Sequence, residues 1–466
     1  MPARRTADAR RQCTAKREDM RTLTPPEPAT QDAPAFDHRI RTREATIAVV
    51  GLGYVGLPLA LAYARAGFRV VGIDVDAARV EAINRGVSHV GDVRPEDLAA
   101  EISAGRLRAH AGYADARACD VIFVCVPTPF TRNKEPDTSC IQAAGEGIAA
   151  HLRPEQLVIL RSTSYPGTTA ELVRPLLERT GHRVGRDVYL AFAPERVDPG
   201  RRDFTVHNTP VLVGGCDPES TRRATLVLEQ ITARVVPMSS PAAAEMAKLL
   251  ENVFRNVNIA LANQLAMLCE RMGLDIWEIT EAAATKPYGF MAFHPGPGVG
   301  GHCIPVDPYY LAWKAREYDF HMDFIELAAR VNDEMPYYVA TRILLALNGQ
   351  ATSAGSARVF VLGVTFKRDI EDYRHSPALK IMELLHKQGV EVRYHDPHVP
   401  ELPFNGRVLR SEPLTEEALR TYDCVVIATD HSAIAYDWIV RHARRVFDTR
   451  NATRDVCEDR HKIIRL

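Results

Sequence analysis

Short, almost purely apolar runs punctuate the first half of the chain: TIAVVG (46–51), RVVGID (69–74), DVIFVCVP (120–127), LVILRS (157–162), VYLAFAP (188–194) and PVLVGG (210–215). Apolar residues follow one another there instead of alternating with polar ones. Each run therefore reads as a strand covered on both faces, as in a parallel sheet. The first two flank a helical stretch, GLPLALAYARAG, and the recurrence of strand and helix predicts a doubly wound α/β fold. The rhythm then changes. After Pro241 no Gly or Pro interrupts the sequence up to Met272. Ser239 and Ser240 suit a helix start, Pro241 its first turn, and Gly273 its end. A helix of roughly 45 Å follows from that length, long enough to join two domains or to form a dimer surface. More helix is expected to about Leu347. After NGQATSAGSA (348–357) strands return in RVFVLGVTF (358–366), VEVRYHDP (390–397), CVVIAT (424–429) and RVFDTR (445–450). The pattern predicts two Rossmann-like units joined by a long helix and a helical middle, with boundaries at 45–238, 239–352 and 353–466.

Composition narrows the class. The 466 residues carry a formal charge of −1, with 46% hydrophobic and 25% charged residues. No overall field favours nucleic acid or an anionic membrane. The nine cysteines are scattered with no C-x-x-C, which argues against a disulfide framework or structural zinc and for a reducing cytoplasm. Thr46 to Ala64 is free of charge and long enough to span a bilayer. Its three glycines and Pro58 read better as strand, turn and helix, so no membrane partner is expected. Residues 1–44 are Arg-rich, then Pro-rich, and read as a disordered tail.

Two stretches carry the chemistry. In VVGLGYVGLPLA, Gly51, Gly53 and Gly56 follow a strand and open a helix. The first permits the turn, the second lets the backbone approach a pyrophosphate, and the third lets helix and strand pack. The second strand ends at Asp74, where an acid can accept ribose hydroxyls and repel a 2′-phosphate; NAD is the expected cofactor. In GPGVGGHCIPVDP (296–308), a single thiol, Cys303, sits in a Gly- and Pro-rich loop four residues before Asp307. A hydride acceptor combined with a thiol suggests two-step oxidation. An alcohol becomes an aldehyde, the thiolate adds to it, a second hydride leaves, and water cleaves the resulting thioester. No metal is expected. Lys248 and Asn252, at i and i+4, share one helix face.

These residues belong to a wider set. GLGYVGLPLA, CVPTP (125–129), STSYPGT (162–168), APERVDPG (193–200), AKLLENVFRNVNIALANQLA (247–266), GPGVGGHCIPVDPYYL (296–311) and GVTFKRDIEDYRHSP (363–377) resemble, in this order, the UDP-glucose/GDP-mannose dehydrogenase family of nucleotide-sugar 6-dehydrogenases. The resemblance runs from about residue 45 to the end. It implies an NAD-binding Rossmann domain, a central helical dimerisation domain and a UDP-sugar-binding Rossmann-like domain. It implies Cys303 as nucleophile and Asp307 as the acid that activates water or takes a proton. Lys248 and Asn252 would bind the developing oxyanion. Glu195 and Thr163 would order water. Cofactor contacts would come from Gly51, Gly53, Tyr54, Val55, Gly56, Asp74, Thr128, Thr163 and Arg374. Substrate contacts would come from Glu195, Arg196, Lys248, Asn252, Gly300, Lys367 and Arg450. His302, beside the thiol, reads as structural or substrate-facing, because neighbouring side chains in an extended loop diverge.

The loop wording, Gly-Gly-His302-Cys303 followed by Val306-Asp307, is most similar to the branch acting on UDP-N-acetylhexosamines, with UDP-N-acetylglucosamine the first expectation. UDP-N-acetylmannosamine and UDP-glucose are the alternatives. The product would be a uronic acid for surface polysaccharide. Two other classes compete: a two-electron hydroxyacid-type dehydrogenase and a non-catalytic NAD-binding regulator. A homodimer or higher homo-oligomer is expected.

Overall fold

In the computed structural model, residues 35–131, 133–197, 203–348 and 357–466 are described. A first sheet contains β1 (Thr46–Val50), β2 (Arg69–Ile73), β3 (Leu107–His110), β4 (Val121–Val124), β5 (Leu157–Leu160), β6 (Tyr189–Phe192), β7 (Val211–Gly215) and β8 (Val235–Pro237). Their order is β3-β2-β1-β4-β5-β6-β7-β8, and every pairing is parallel except β6 with β7. β4 and β5 are buried at every position, as their unbroken apolar runs require. All six strands expected in this half form. β3 and β8 are additional.

The tail expected over 1–44 is cut short. Residues 1–34 lie outside the described residues, but Ala35–Arg41 forms helix α1. Phe36 and Ile40 are fully covered, and Asp37 pairs with Arg222 at 2.7 Å and 3.0 Å. An apolar pair spaced four apart plus one acid were enough to dock these two turns against the helix that carries Arg222. The charge-free stretch from Thr46 splits into β1, the glycine turn and helix α2 (Gly56–Arg65). Among the described residues no helix is long and apolar enough to cross a membrane.

Helix α3 runs Pro241–Met272 with Ser240 as its cap, accepting from the Ala243 amide at 3.1 Å, and Gly273 closing it at φ 69°. Its first turn is anchored by buried Glu245, which accepts from the Gly167 and Thr169 amides at 2.6 Å and 2.9 Å. Burial pushes that carboxyl's pKa up. Helix α4 (Asp307–Ala315) and helix α5 (Asp323–Asn348) pack on α3. A second sheet holds β9 (Arg358–Leu362), β10 (Glu391–His395), β13 (Cys424–Ile427), β14 (Val446–Asp448) and β15 (Ile463–Arg465), all parallel, in the order β10-β9-β13-β14-β15. Helix α6 (Pro377–Lys387) covers it, and β11 (Glu401–Phe404) with β12 (Arg407–Arg410) forms a separate hairpin.

Each sheet changes winding direction once, between β1 and β4 and between β9 and β13. Ligand crevices form at the carboxyl ends of strands at such points. A matching glycine stands at each. A Cβ on Gly51 (φ +87°) would lie 2.6 Å from the Cys125 carbonyl oxygen, and one on Gly363 (φ +78°) would lie 2.5 Å from that of Thr429.

Candidate active site

The two carboxyl edges face one another across the loop 296–308. The ring of Phe130, beyond β4, lies 5.9 Å from His375. The guanidinium of Arg374 sits 5.5 Å from the ring centre of Tyr54 in the glycine turn.

The loop itself is gripped by asparagines on one face of α3. Asn252 donates to Asp307 at 2.5 Å, Asn256 donates to the Ile304 carbonyl at 3.2 Å, and Asn263 accepts from the Gly296 amide at 2.9 Å. Asn332 of α5 completes the ladder, accepting from Asn263 at 2.9 Å and donating to the Asn256 carbonyl at 3.0 Å. Asn256, Asn263 and Asn332 were not singled out in the sequence, although amides at 252, 256 and 263 repeat on one helical face.

Cys303 is exposed. Its carbonyl accepts from the Asp307 amide at 2.9 Å, which places thiol and carboxyl on one tight turn. Asp307 is 3% exposed. Desolvation raises its pKa to about 6, against the opposing pull of Asn252 and Lys248. Cys303, Asp307, Asn252 and Lys248 are thus brought together.

Glu195 lies at the end of β6. Its Oε2 accepts from Arg161 at 2.6 Å, and its Oε1 accepts from the Arg196 and Val197 amides at 2.8 Å and 2.7 Å. The Arg161 side chain is 1% exposed, an ion partner that the sequence reading missed. Arg196 turns away to Glu251 on α3 at 2.7 Å and the Pro210 carbonyl at 2.6 Å. Thr163 follows the buried Arg161–Ser162 pair at the tip of β5 and is half-buried.

The glycine turn fits a pyrophosphate. A Cβ on Gly53 would meet nothing within 4 Å, whereas one on Gly56 would lie 1.8 Å from the Gly51 carbonyl. One position is left open for a ligand and the other is closed for packing. Val55 sits between them at the start of α2. Thr128 presents its carbonyl to the Tyr310 hydroxyl, which also reaches the Pro129 carbonyl at 2.8 Å. Asp74 lies where an acid was expected, but its oxygens already accept from Leu52 and Asp76 amides at 2.8 Å and 3.0 Å and from Arg79 at 3.0 Å and 3.1 Å. A ribose diol would take the positions held by Arg79. That arginine also offsets the repulsion of a 2′-phosphate assigned to Asp74 alone.

On the opposite edge, a Cβ on Gly300 would lie 2.6 Å from Phe366, and one on Gly296 would lie 2.7 Å from the Arg450 guanidinium. Lys367 follows Phe366 beyond β9 and is half-buried. His302 reaches toward Asp372, at 3.9 Å. Asp369, His398 and His431 also cluster within 4.8 Å. Both ring nitrogens of His431 are engaged, Nδ1 accepting from the Asp369 amide at 3.1 Å and Nε2 facing Asp396 at 3.1 Å. The cluster reads as a hydrogen-bonded buckle between loops.

Comparison with known proteins agrees with this layout. Profiles of the UDP-glucose/GDP-mannose dehydrogenase family match along the chain: its NAD binding domain at 45–232, its central domain at 242–334 and its UDP binding domain at 360–455. UDP-N-acetyl-D-mannosamine dehydrogenase of Pyrococcus horikoshii is 38% identical over 389 residues, covering 83% of this chain and 89% of the relative. UDP-N-acetyl-D-glucosamine 6-dehydrogenase of Pseudomonas aeruginosa is 36% identical over 400 residues, 85% of this chain and 90% of the relative. The solved structure of the Pyrococcus horikoshii UDP-D-ManNAc dehydrogenase superposes with a TM-score of 0.81 at 35% identity, covering 90% of this chain and 98% of that one. The chain belongs to the UDP-glucose/GDP-mannose dehydrogenase family of NAD-dependent nucleotide-sugar oxidoreductases.

Proposed function

We propose that the protein oxidises C6 of a UDP-N-acetylhexosamine, UDP-N-acetylglucosamine in the first instance, to the uronic acid in a four-electron reaction through Cys303. NAD, when bound at the glycine turn, supplies the acceptor for each of two hydrides. The chain's residues do the remainder. The Cys303 thiolate adds to the C6 aldehyde and holds the carbon through the second oxidation as a thioester. Lys248 and Asn252 donate to the oxygen that gains charge at each tetrahedral stage. Asp307, with its pKa near 6, is mostly ionised at neutral pH and takes the proton that the alcohol or the attacking water gives up. Glu195 and Thr163, at the ends of β6 and β5, order that water. Lys367 and Arg450 meet the UDP phosphates, and Gly300 lets the loop pack against Phe366 and the His375 carbonyl. Arg374, reaching the glycine turn, meets the cofactor. The single observation carrying this reading is the buried 2.5 Å contact of Asn252 with Asp307, whose amide closes a turn on the carbonyl of the exposed Cys303.

The mannosamine epimer is the second reading, favoured by the name of the 38% identical relative. The reading includes a three-part division at 45–238, 239–352 and 353–466, a cytoplasmic site of action, a role in surface polysaccharide supply, and a homodimer. For the dimer, α3 exposes a stripe of Leu250, Phe254, Leu261, Leu265 and Leu268 on the face opposite its asparagines, an apolar surface that self-association would cover. An NADH-release assay over a panel of UDP-sugars tests the whole. Two NADH per sugar and no acid from Cys303→Ser are expected. One NADH per sugar, or full turnover by that variant, removes the covalent route.

A further inference from the structure

Thr163 and Glu195, which are read as ordering the hydrolytic water, stand beyond the ends of two paired strands, β5 and β6. One ion pair joins those ends. Arg161 leaves β5 with its amide donating to the Val124 carbonyl at 2.9 Å, and its Nη2 donates to Glu195 Oε2 at 2.6 Å. The Arg161 side chain is 1% exposed and that of Glu195 is 18% exposed. A cation hidden to that degree gives up its hydration and needs a close anion in return. Burial opposes the guanidinium's charge, and Glu195 leads the groups that restore it. Cys125 and Tyr63 also act on it, but burial keeps both protonated, which leaves Glu195 to balance the charge. The carboxylate is fixed on its other side too. Oε1 accepts from the Arg196 and Val197 amides at 2.8 Å and 2.7 Å. A carboxylate offers about four acceptor positions. With Arg161 and two amides in place, the free position is on Oε2, the oxygen that Arg161 holds. The segment is also tied to the nucleophile loop. Arg196 reaches Glu251 at 2.7 Å, and the next residue of α3, Asn252, donates to Asp307.

We propose that Arg161 is a positioning residue for the hydrolytic half of the reaction: by holding Glu195 Oε2 it leaves one place where water can donate to that carboxylate, and so aims the water at the thioester carbon. The proposal rests on the readings of Glu195 as a water-ordering residue and of Cys303 as nucleophile. In the step it serves, the water oxygen bonds to the thioester carbon and one proton of that water passes to Asp307. The carbon–sulfur bond breaks with its electron pair returning to Cys303. Arg161 is buried and acts through the carboxylate alone. Without the guanidinium, Glu195 keeps its two amides, but Oε2 regains a second open position and the water loses its unique place. Neither hydride transfer uses that water. Both oxidations should therefore proceed, and the thioester should accumulate.

The test uses the full-length protein with NAD and the UDP-sugar that releases NADH fastest. Rapid quenching followed by intact-protein mass spectrometry reads the acyl group on Cys303, and steady-state assays give kcat and KM. Arg161→Gln is expected to lower kcat ~10²-fold, the scale of a misplaced reactant. KM should fall with it, leaving kcat/KM nearly unchanged, because the slowed step follows the second oxidation. The acyl-enzyme should become the main species at steady state. Arg161→Lys, which can still donate to Oε2, should recover part of the loss. Glu195→Gln should accumulate the same species, and adding Arg161→Gln to it should cost less than ~2-fold more, since the arginine then has no carboxylate to hold. That double variant removes both charges, the form in which loss of a buried pair is best tolerated. If Arg161→Gln alone does not fold, the same cycle is run with Arg161→Lys. A fall in kcat/KM with no accumulated acyl-enzyme would mark a structural role and overturn the proposal. So would losses that multiply in the double variant. Both results leave the reading of Glu195 standing, whereas full turnover by Glu195→Gln removes that reading and the proposal with it.

Discussion

Replacing Asp307 by asparagine should make the protein less active and more stable, and the size of the second effect follows from burial. The side chain is 3% exposed, and desolvation lifts its pKa from 3.8 to about 6. An acid whose native pKa is raised binds its proton more tightly folded than unfolded. Stability is therefore lost as pH climbs from the unfolded value through the native one. At 1.36 kcal/mol per unit, the charged form costs the fold about 1.5 kcal/mol at pH 5 and about 3 kcal/mol at pH 7.5. Asparagine carries no charge and keeps an oxygen to accept from Asn252, so it escapes that cost. The gain of Asp307→Asn over the parent should widen by about 1.5 kcal/mol between pH 5 and 7.5, roughly 1–2 °C in melting temperature. Parallel thermal melts at several pH values measure it, and the difference between variants cancels every other titrating group. The same substitution should lower turnover by ~10²-fold or more if the carboxylate is the base. The parent's acid limb, centred near pH 6, should disappear from what activity remains. A stability difference that stays flat with pH, or that falls as pH rises, would refute the burial argument.

Other expectations are quicker to check. Gly56→Ala should prevent correct closure of the turn, because its Cβ would sit 1.8 Å from a carbonyl oxygen. Gly53→Ala should fold normally and lose only NAD affinity, as isothermal titration would report. Asp74→Ala should weaken NAD more than the UDP-sugar, and unchanged affinities for both would retire the ribose assignment. Leu261→Asp, on the exposed stripe of α3 where the parent leucine is 54% exposed, should shift the protein toward monomer in analytical ultracentrifugation; an unchanged sedimentation profile would move the dimer surface elsewhere.

What could be read in advance was whatever local pattern encodes. The buried strands announced themselves because β4 and β5 show no polar residue at all. Helix α3 declared both ends because Ser240 and Gly273 suit only those positions. The strands that escaped notice are short and lie at or near sheet edges. Leu107–His110 alternates with charge, Val235–Pro237 ends in proline, and Ile463–Arg465 has three residues. Site residues with a motif around them were legible. Those defined by a distant partner were not. Arg161 looks like an ordinary charge ending a strand until Glu195, 34 positions away, meets it. Asn256 gains meaning only from Ile304 and Asn332. Arg79 is the local exception, standing five residues after Asp74 and reaching back to its carboxylate.

Helix α3 carries amides toward the reaction on one side and an apolar stripe on the other, which limits how its length can change. Two inserted residues between Glu245 and Asn263 would turn everything downstream by about 200°. That would aim leucines at the loop and amides at solvent. Seven inserted residues would nearly restore the facing but displace the amides along the axis by about 10 Å. Substitutions on the outer stripe are therefore tolerable singly, while gaps of any length in this segment are not, and a comparison of relatives should show α3 as ungapped even where its outer face varies.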